Sequence, residues 1–220
     1  MLIQSLLVAH IAVLGYWLGS ELVINSTYRY VAYAADMPFD ARGRLMDHVM
    51  DVDQHVRYAL VLQFGLGFAL AALYGYLPGR TDMAIGVGAT AAAWLLFVEA
   101  VHRLRHRPIG AHLAALDRGS RYLILAALLA VAFGLLGSDW AMPFWLRLKL
   151  GLFAGVMACG VGIRLALISH FRIWTRATIA GLDDQINADL RATYWRATAV
   201  LILLWIFIAG IVVASVWKPA

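Results

Sequence analysis

The sequence predicts an all-α polytopic membrane helix bundle of about six transmembrane helices, with both termini on the outside. Three observations support this fold class: the composition, a series of apolar segments, and the uneven placement of basic residues. Of the 220 residues, 63% are hydrophobic and 14% are charged, whereas soluble domains are near 45–50% apolar and about 25% charged. The single cysteine, Cys159, excludes an intramolecular disulfide and any cysteine-rich metal site. We treat residues 1–220 as one transmembrane domain.

Six segments are apolar enough to cross a bilayer as helices, which takes about 20 residues. They are Leu2–Val23, Arg57–Leu77, Met83–Val101, Tyr122–Leu136, Leu148–Ser169 and Ala197–Val216. The fourth segment is short, so its helix is expected to begin in the polar segment that precedes it.

The basic residues predict the orientation of the bundle. Fourteen of the 18 Lys and Arg residues lie in or beside the connections after segments one, three and five, and four lie on the opposite side. Cytoplasmic loops carry the excess of positive charge, which places both termini outside. With an odd number of spans, the basic residues would not be concentrated on one side in this way, so the bias also supports six spans. The protein is therefore expected in a bacterial-type inner membrane as a multi-pass protein, without a cleaved signal peptide. Because orientation accounts for the positive charge, we predict no nucleic-acid partner.

Two of the connections are expected to contain helix. Pro38 and Asp40 form a start signal, with Asp40 as the N-cap of a helix that runs from about Ala41 into the second span. In the fifth connection, the apolar residues between Ile179 and Leu190 follow helical spacing. This pattern predicts an amphipathic helix that lies on the membrane surface.

His10 is the single ionisable interruption of the first apolar run, which extends to Gly19 and is followed by Glu21. An ionisable side chain inside a membrane span is costly, and it indicates a functional site by default. The alternative is a histidine that only hydrogen-bonds a neighbouring helix, as polar residues often do between membrane helices. We weigh a ligand or proton-relay role and this structural role about equally.

A second candidate site lies at the cytoplasmic edge. His48, Asp51 and His55 share one helical face, and Glu99, His102 and His106 share another with the same i, i+3, i+7 spacing. Glu-x-x-His is the spacing that bundle proteins use for di-iron and di-manganese centres, so the metal would be iron, manganese or zinc. More carboxylates would be required, and Asp183, Asp184 or Asp189 would have to supply them. The favoured alternative is a pair of solvated helix ends whose Arg and His side chains meet lipid phosphates.

Arg147 and Lys149 stand at the head of the fifth span. Long basic side chains at such positions commonly extend to the membrane interface. The other interpretation is that they pair with an anionic ligand held in the outer half of the bundle.

Three stretches resemble a known family. His10-Ile11-Ala12-Val13-Leu14-Gly15-Tyr16-Trp17-Leu18-Gly19, Trp145-Leu146-Arg147-Leu148-Lys149-Leu150 and the apolar end from Ile206 to Pro219 are similar to HemJ-type membrane protoporphyrinogen oxidases and to copper-resistance D (CopD) membrane domains. In those oxidases a tryptophan follows the first-helix histidine by seven residues, as Trp17 follows His10 here. The family's Asn-Glu pair before the last helix is replaced by Tyr194-Trp195-Arg196. The resemblance therefore concerns the scaffold rather than the oxidase activity.

The resemblance implies a redox-active bundle that binds haem b, with His10 as an axial ligand and Trp17, Arg147 and Lys149 beside the cofactor. His55, His102 and His170 lie near the cytoplasmic edge, so His10 is expected to be the single histidine ligand unless a second haem lies nearer the cytoplasm. The rival hypotheses are a metal-dependent membrane enzyme that uses the cytoplasmic histidines, and a transporter or structural subunit. The expected partners are the lipid bilayer and a redox protein; a homo-oligomer is left open.

Overall fold

The computed structural model describes residues 1–105 and 107–219, and that part of the chain is helical without strands. Its helices are α1 (Leu2–Tyr33), α2 (Phe39–Leu73), α3 (Arg80–Arg103), α4 (Gly110–Ala132), α5 (Phe144–Ala180) and α6 (Asp184–Trp217). The predicted all-α class is confirmed for the described residues. Each of the six predicted segments falls largely within its own helix. Five helices, all except α4, are long and apolar enough to cross a membrane, as expected for a multi-pass membrane protein.

Helix α4 differs from the others because its first half is polar. It begins at Gly110, within the polar segment as expected, and carries Asp117, Arg118 and Arg121 before its apolar part. Only about 16 Å of helix follows Arg121, at 1.5 Å per residue, against an apolar layer about 30 Å thick.

The start of α2 lies earlier than predicted. Pro38 occupies the N-cap position and Phe39 is the first helical residue, so Asp40 is not the cap. Proline can precede a helix because it has a fixed φ and no N–H to satisfy. Asp40 instead lies in the first turn, where it pairs with Arg44 at 2.9 Å. The helix then continues without a break to Leu73, as predicted.

The predicted surface helix from Ile179 to Leu190 is wrong. The chain turns at Gly181, which has a φ of +85°, and Asp183 caps α6 by accepting a hydrogen bond from the Ile186 amide at 2.6 Å. Ile186 and Leu190 are buried against α5 and the start of α2. Their apolar face therefore covers protein rather than lipid, and helical spacing alone does not distinguish the two.

The helices pack as a closed ring. Each helix contacts the next one along the chain, and α1 also contacts α6. This arrangement brings both chain termini to one end of the bundle and leaves space for cavities between the helices. One cavity lies toward the terminal end, and another lies toward the opposite end.

Candidate functional site

A largely apolar cavity of about 400 Å³ lies between α1, α2, α5 and α6, toward the end that carries both termini. We call it the His10 cavity; its walls include His10, the aromatic residues Trp17, Phe64, Phe68 and Phe153, and Lys149. Small-molecule and cofactor sites in proteins commonly measure about 300–1,000 Å³ and are lined by apolar and aromatic groups with a few polar ones. The cavity has the size and the lining of such a site.

The His10 imidazole packs against the backbone of α2. A Cβ atom on Gly67 would lie 3.3 Å from His10 Cε1, so glycine at this position lets the ring approach closely. His10 Nε2 is 3.3 Å from the Gln63 side-chain nitrogen. His10 Nδ1 and Gln63 Oε1 are buried and have no hydrogen-bond partner in the described part of the chain. The site therefore holds an imidazole with unused hydrogen-bonding and ligating capacity.

Lys149 and Trp17 lie on the wall of the same cavity. Lys149 makes no hydrogen bond or ion pair with residues 1–105 or 107–219, and its Nζ lies 5.7 Å from the ring centroid of Trp145. Trp17 is 2% exposed, and its indole packs edge-on against Phe153. The structure thus brings together three of the four predicted cofactor-binding residues.

Arg147, the fourth predicted cofactor-binding residue, does not line the cavity. Its Nη1 donates to the Val131 carbonyl at 2.8 Å, and its Nη2 donates to the Gly137 carbonyl at 2.9 Å. Residues two apart on a helix do not face the same way, so Arg147 and Lys149 diverge. Arg147 holds the end of α4 and the turn that follows it.

The histidines and carboxylates predicted to form a metal site at the cytoplasmic edge are engaged separately. Among the described residues, no group of three or more His, Cys, Asp or Glu side chains is placed to hold a metal ion. His48, Asp51 and His55 are exposed on α2, and His55 Nδ1 lies 2.5 Å from the Tyr16 hydroxyl. On α3, Glu99 accepts hydrogen bonds from Tyr58 and Arg103. The remaining members are His102, which lines a different cavity, and His106, which lies outside the described residues.

The carboxylates of the fifth connection also have other partners. Asp183 caps α6, and Asp189 accepts hydrogen bonds from Arg176 at 2.5 Å and from Gln185 at 3.0 Å. These contacts fix the two side chains within their own part of the bundle. They are not directed toward the histidines of α2 and α3.

Sequence reasoning missed a charged network inside the bundle. Asp117 accepts from Arg121 at 2.6 Å and lies 3.9 Å from Arg57, which in turn pairs with Asp53 at 3.4 Å. Asp117 is 5% exposed. The Asp-to-Arg spacing of four residues in both α2 and α4 was the available signal, because such pairs are neighbours on a helix.

A second buried polar group was also missed. His170 is fully buried, with Nδ1 3.0 Å from the Thr193 hydroxyl and Nε2 without a partner in the described residues. Arg42 is equally buried and donates to the Val31 carbonyl and to Asn187 Oδ1. Arg42 stands in a polar connection, so the sequence offered no sign that its side chain would enter the core.

No family model, curated protein or solved structure matches this chain. The family resemblance drawn from the sequence remains a prediction. The function is therefore argued from the geometry of the cavities.

Proposed function

We propose that the protein binds haem b in the His10 cavity and has a redox role, with a scaffold similar to the HemJ and CopD families. The observation that supports this proposal is that His10, Trp17 and Lys149, from two different helices, line one apolar cavity of about 400 Å³. Histidine is a usual axial ligand of haem iron, and bundle proteins build cofactor sites from side chains on facing helices.

The chemistry of the cavity residues fits this cofactor. His10 would hold the haem iron through an imidazole nitrogen, because neutral imidazole can ligate a metal through either ring nitrogen. Aromatic side chains and Leu150 would flank the macrocycle. When bound, the haem iron would supply one-electron redox chemistry. The apolar wall would exclude water and thereby influence the reduction potential.

Lys149 provides a second argument for haem, because its positive charge favours a ligand that carries negative groups. An ammonium group within an apolar wall is costly unless it is paired with an opposite charge. Lys149 has no carboxylate partner in the described part of the chain. The carboxylate groups of a porphyrin have the charge and chemistry that would meet this need.

His10 is the single histidine among the residues that line this cavity. His170 is occupied with Thr193 elsewhere in the core, and His55 contacts Tyr16. This distribution supports ligation of the haem iron by one histidine.

The finer topology belongs to the same proposal. We place both termini outside, with six crossings in a bacterial-type inner membrane, and with α4 completing the sixth crossing from its apolar second half. The lipid bilayer then surrounds the helix bundle. The bound haem would exchange electrons with a redox partner protein.

The alternatives are a metal-dependent membrane enzyme, and a transporter or structural subunit. One measurement separates the three functions: the absorption spectrum of the purified protein together with its metal content. Haem absorbance supports the proposal. Stoichiometric iron, manganese or zinc without haem would support the first alternative, and neither would support the second.

The direct test replaces His10. We expect His10→Ala to insert and fold but to lose haem absorbance, because removal of one polar group does not oppose insertion of an apolar span. His48→Ala is the matched control, since His48 is exposed on α2 and should keep full absorbance. A folded His10→Ala protein with full haem absorbance would overturn the proposal.

A further inference from the structure

A second cavity, of about 630 Å³, lies between α2, α3, α4 and α5, away from the end that carries the termini. Its lining is strongly basic, and we call it the arginine vestibule. The arginines that line it are Arg57, Arg105, Arg107, Arg118, Arg121 and Arg164. They come from three helices and from the connection between α3 and α4, so one concave surface collects charges that are far apart in the sequence.

The charges in the vestibule do not balance. Asp53 and Asp117 are the carboxylates among the lining residues. Both already form ion pairs with Arg57, and Asp117 also holds Arg121. Apart from Arg105, five arginines against two aspartates leave an excess of three positive charges in the wall.

Arg164 is the most informative member of the set. It lies on α5, about 30 Å along the helix from Phe144 at 1.5 Å per residue. It makes no ion pair or hydrogen bond with the part of the chain that the structure describes. An ionisable residue on a membrane helix that faces a cavity marks a ligand or ion site by default.

The N-terminus of α4 adds a further partial positive charge to the wall of the vestibule. Gly110 and Ala111 line the vestibule, and the helix has no side-chain cap at its N-terminus. A Cβ on Gly110 would lie 2.5 Å from the Leu104 carbonyl oxygen, so glycine allows the connection to hold this helix end at the cavity wall. Helix N-termini favour anions because of their free N–H groups and the helix dipole.

We propose that the arginine vestibule binds a phosphate-bearing anion. Guanidinium groups match phosphate in planar, two-point hydrogen bonds, and arginine is preferred where such recognition matters. The anion is either a soluble phosphate compound, which arginine clusters recognise, or the headgroup of an anionic lipid from the adjoining leaflet, which basic pockets between membrane helices bind. This site is separate from the His10 cavity and does not depend on haem binding.

Arg44 provides a comparison for the vestibule arginines, because it pairs with Asp40 on the same helix turn. It does not line the vestibule. Arg44 therefore provides a matched control of equal charge.

The experiment uses the full chain purified in a neutral detergent. The first arm titrates inorganic pyrophosphate and follows the melting temperature, and the second arm measures phosphatidylglycerol that co-purifies after exchange into phosphatidylcholine nanodiscs. Each arm compares the wild type with Arg164→Gln, Arg118→Gln and Arg44→Gln. Because Arg118 is exposed and Arg164 forms no ion pair in the described residues, both substitutions should leave the fold intact.

We expect at least one probe to bind the wild type, with about tenfold weaker binding in Arg164→Gln and Arg118→Gln and no change in Arg44→Gln. Pyrophosphate binding alone would identify a soluble ligand, and retained phosphatidylglycerol alone would identify a lipid. Binding should weaken as salt rises, because the interaction is between charges. The proposal is overturned if neither probe binds the wild type, or if Arg44→Gln weakens binding as much as Arg164→Gln does.

Discussion

The indole nitrogen of Trp17 donates a hydrogen bond to Glu21 Oε1 at 3.2 Å, and this contact lies between two regions of the bundle. Trp17 lines the His10 cavity and also a smaller cavity of about 140 Å³, whose walls include Glu21, Asp53 and Arg57. One side chain thus separates the proposed haem site from the charged network. Glu21 is 6% exposed, so the indole N–H is an important partner for a buried carboxyl group.

Replacement of Trp17 by Phe should destabilise the protein. The variant keeps an aromatic ring but removes the N–H donor, and a buried polar group left without its partner costs about 1–3 kcal/mol. The measurement is the free energy of unfolding in mixed detergent micelles. Glu21→Gln, which keeps an acceptor oxygen, should cost less.

A double-mutant cycle isolates this contact. Trp17→Phe combined with Glu21→Leu removes donor and acceptor together, so the cost of the double variant should fall below the sum of the single variants by about 1 kcal/mol. Strict additivity would show that the hydrogen bond contributes nothing.

Substitutions of Arg147 and Lys149 should have different effects although the two residues are only two positions apart: the first should lower stability and the second should weaken haem binding. Arg147→Leu removes the donors to the Val131 and Gly137 carbonyls, and we expect a loss of about 2 kcal/mol in the free energy of unfolding with unchanged haem per protein. Lys149→Leu should weaken haem binding about tenfold, because it removes one charged partner of the ligand. Haem titration and unfolding measurements on both variants test the pair. Loss of haem in a folded Arg147→Leu protein would contradict the assignment.

Gly65 should be intolerant of even one added carbon. A Cβ on Gly65 would lie 2.6 Å from Ala91 Cβ, and neither atom can move without its helix. We expect Gly65→Ala to force α2 and α3 apart and to cost about 1–3 kcal/mol, as overpacking usually does. Gly15→Ala is the control, since nothing lies within 4 Å of a Cβ there; alanine should be neutral, or stabilise the helix by up to about 1 kcal/mol. Equal effects at the two positions would argue against the α2–α3 contact.

The proposed topology can be tested with a reporter that is active only in the cytoplasm. A fusion at the C-terminus of the full chain should be inactive, and a fusion after Asp36, which follows α1, should be active. The reason is the concentration of arginine in the connections after α1, α3 and α5. A strong signal from the C-terminal fusion would indicate an odd number of crossings, with α4 as the helix that does not cross.

The sequence predicted the helices better than it predicted their contacts. Apolar length and breaks at Pro and Gly located all six helices, and the polar start of α4 was expected. The predictions failed at Asp40, where the cap lies two residues earlier, and between Ile179 and Leu190, where the chain turns at Gly181 and where Ile186 and Leu190 cover protein instead of lipid. In a membrane protein both the core and the lipid are apolar, so hydrophobic spacing does not say which of them a helix face meets.

For the sites, the sequence by itself determined which residue types lie on the membrane helices: a histidine within the first apolar segment, and arginines gathered toward one side. Only the tertiary structure decided which of them share a cavity. It placed His10, Trp17 and Lys149 together, turned Arg147 toward two carbonyl groups, and brought Arg164 of α5 beside Asp117 of α4. The physical reason is that the rotation of each helix about its own axis is set by the packing of whole helix surfaces, which no local spacing encodes.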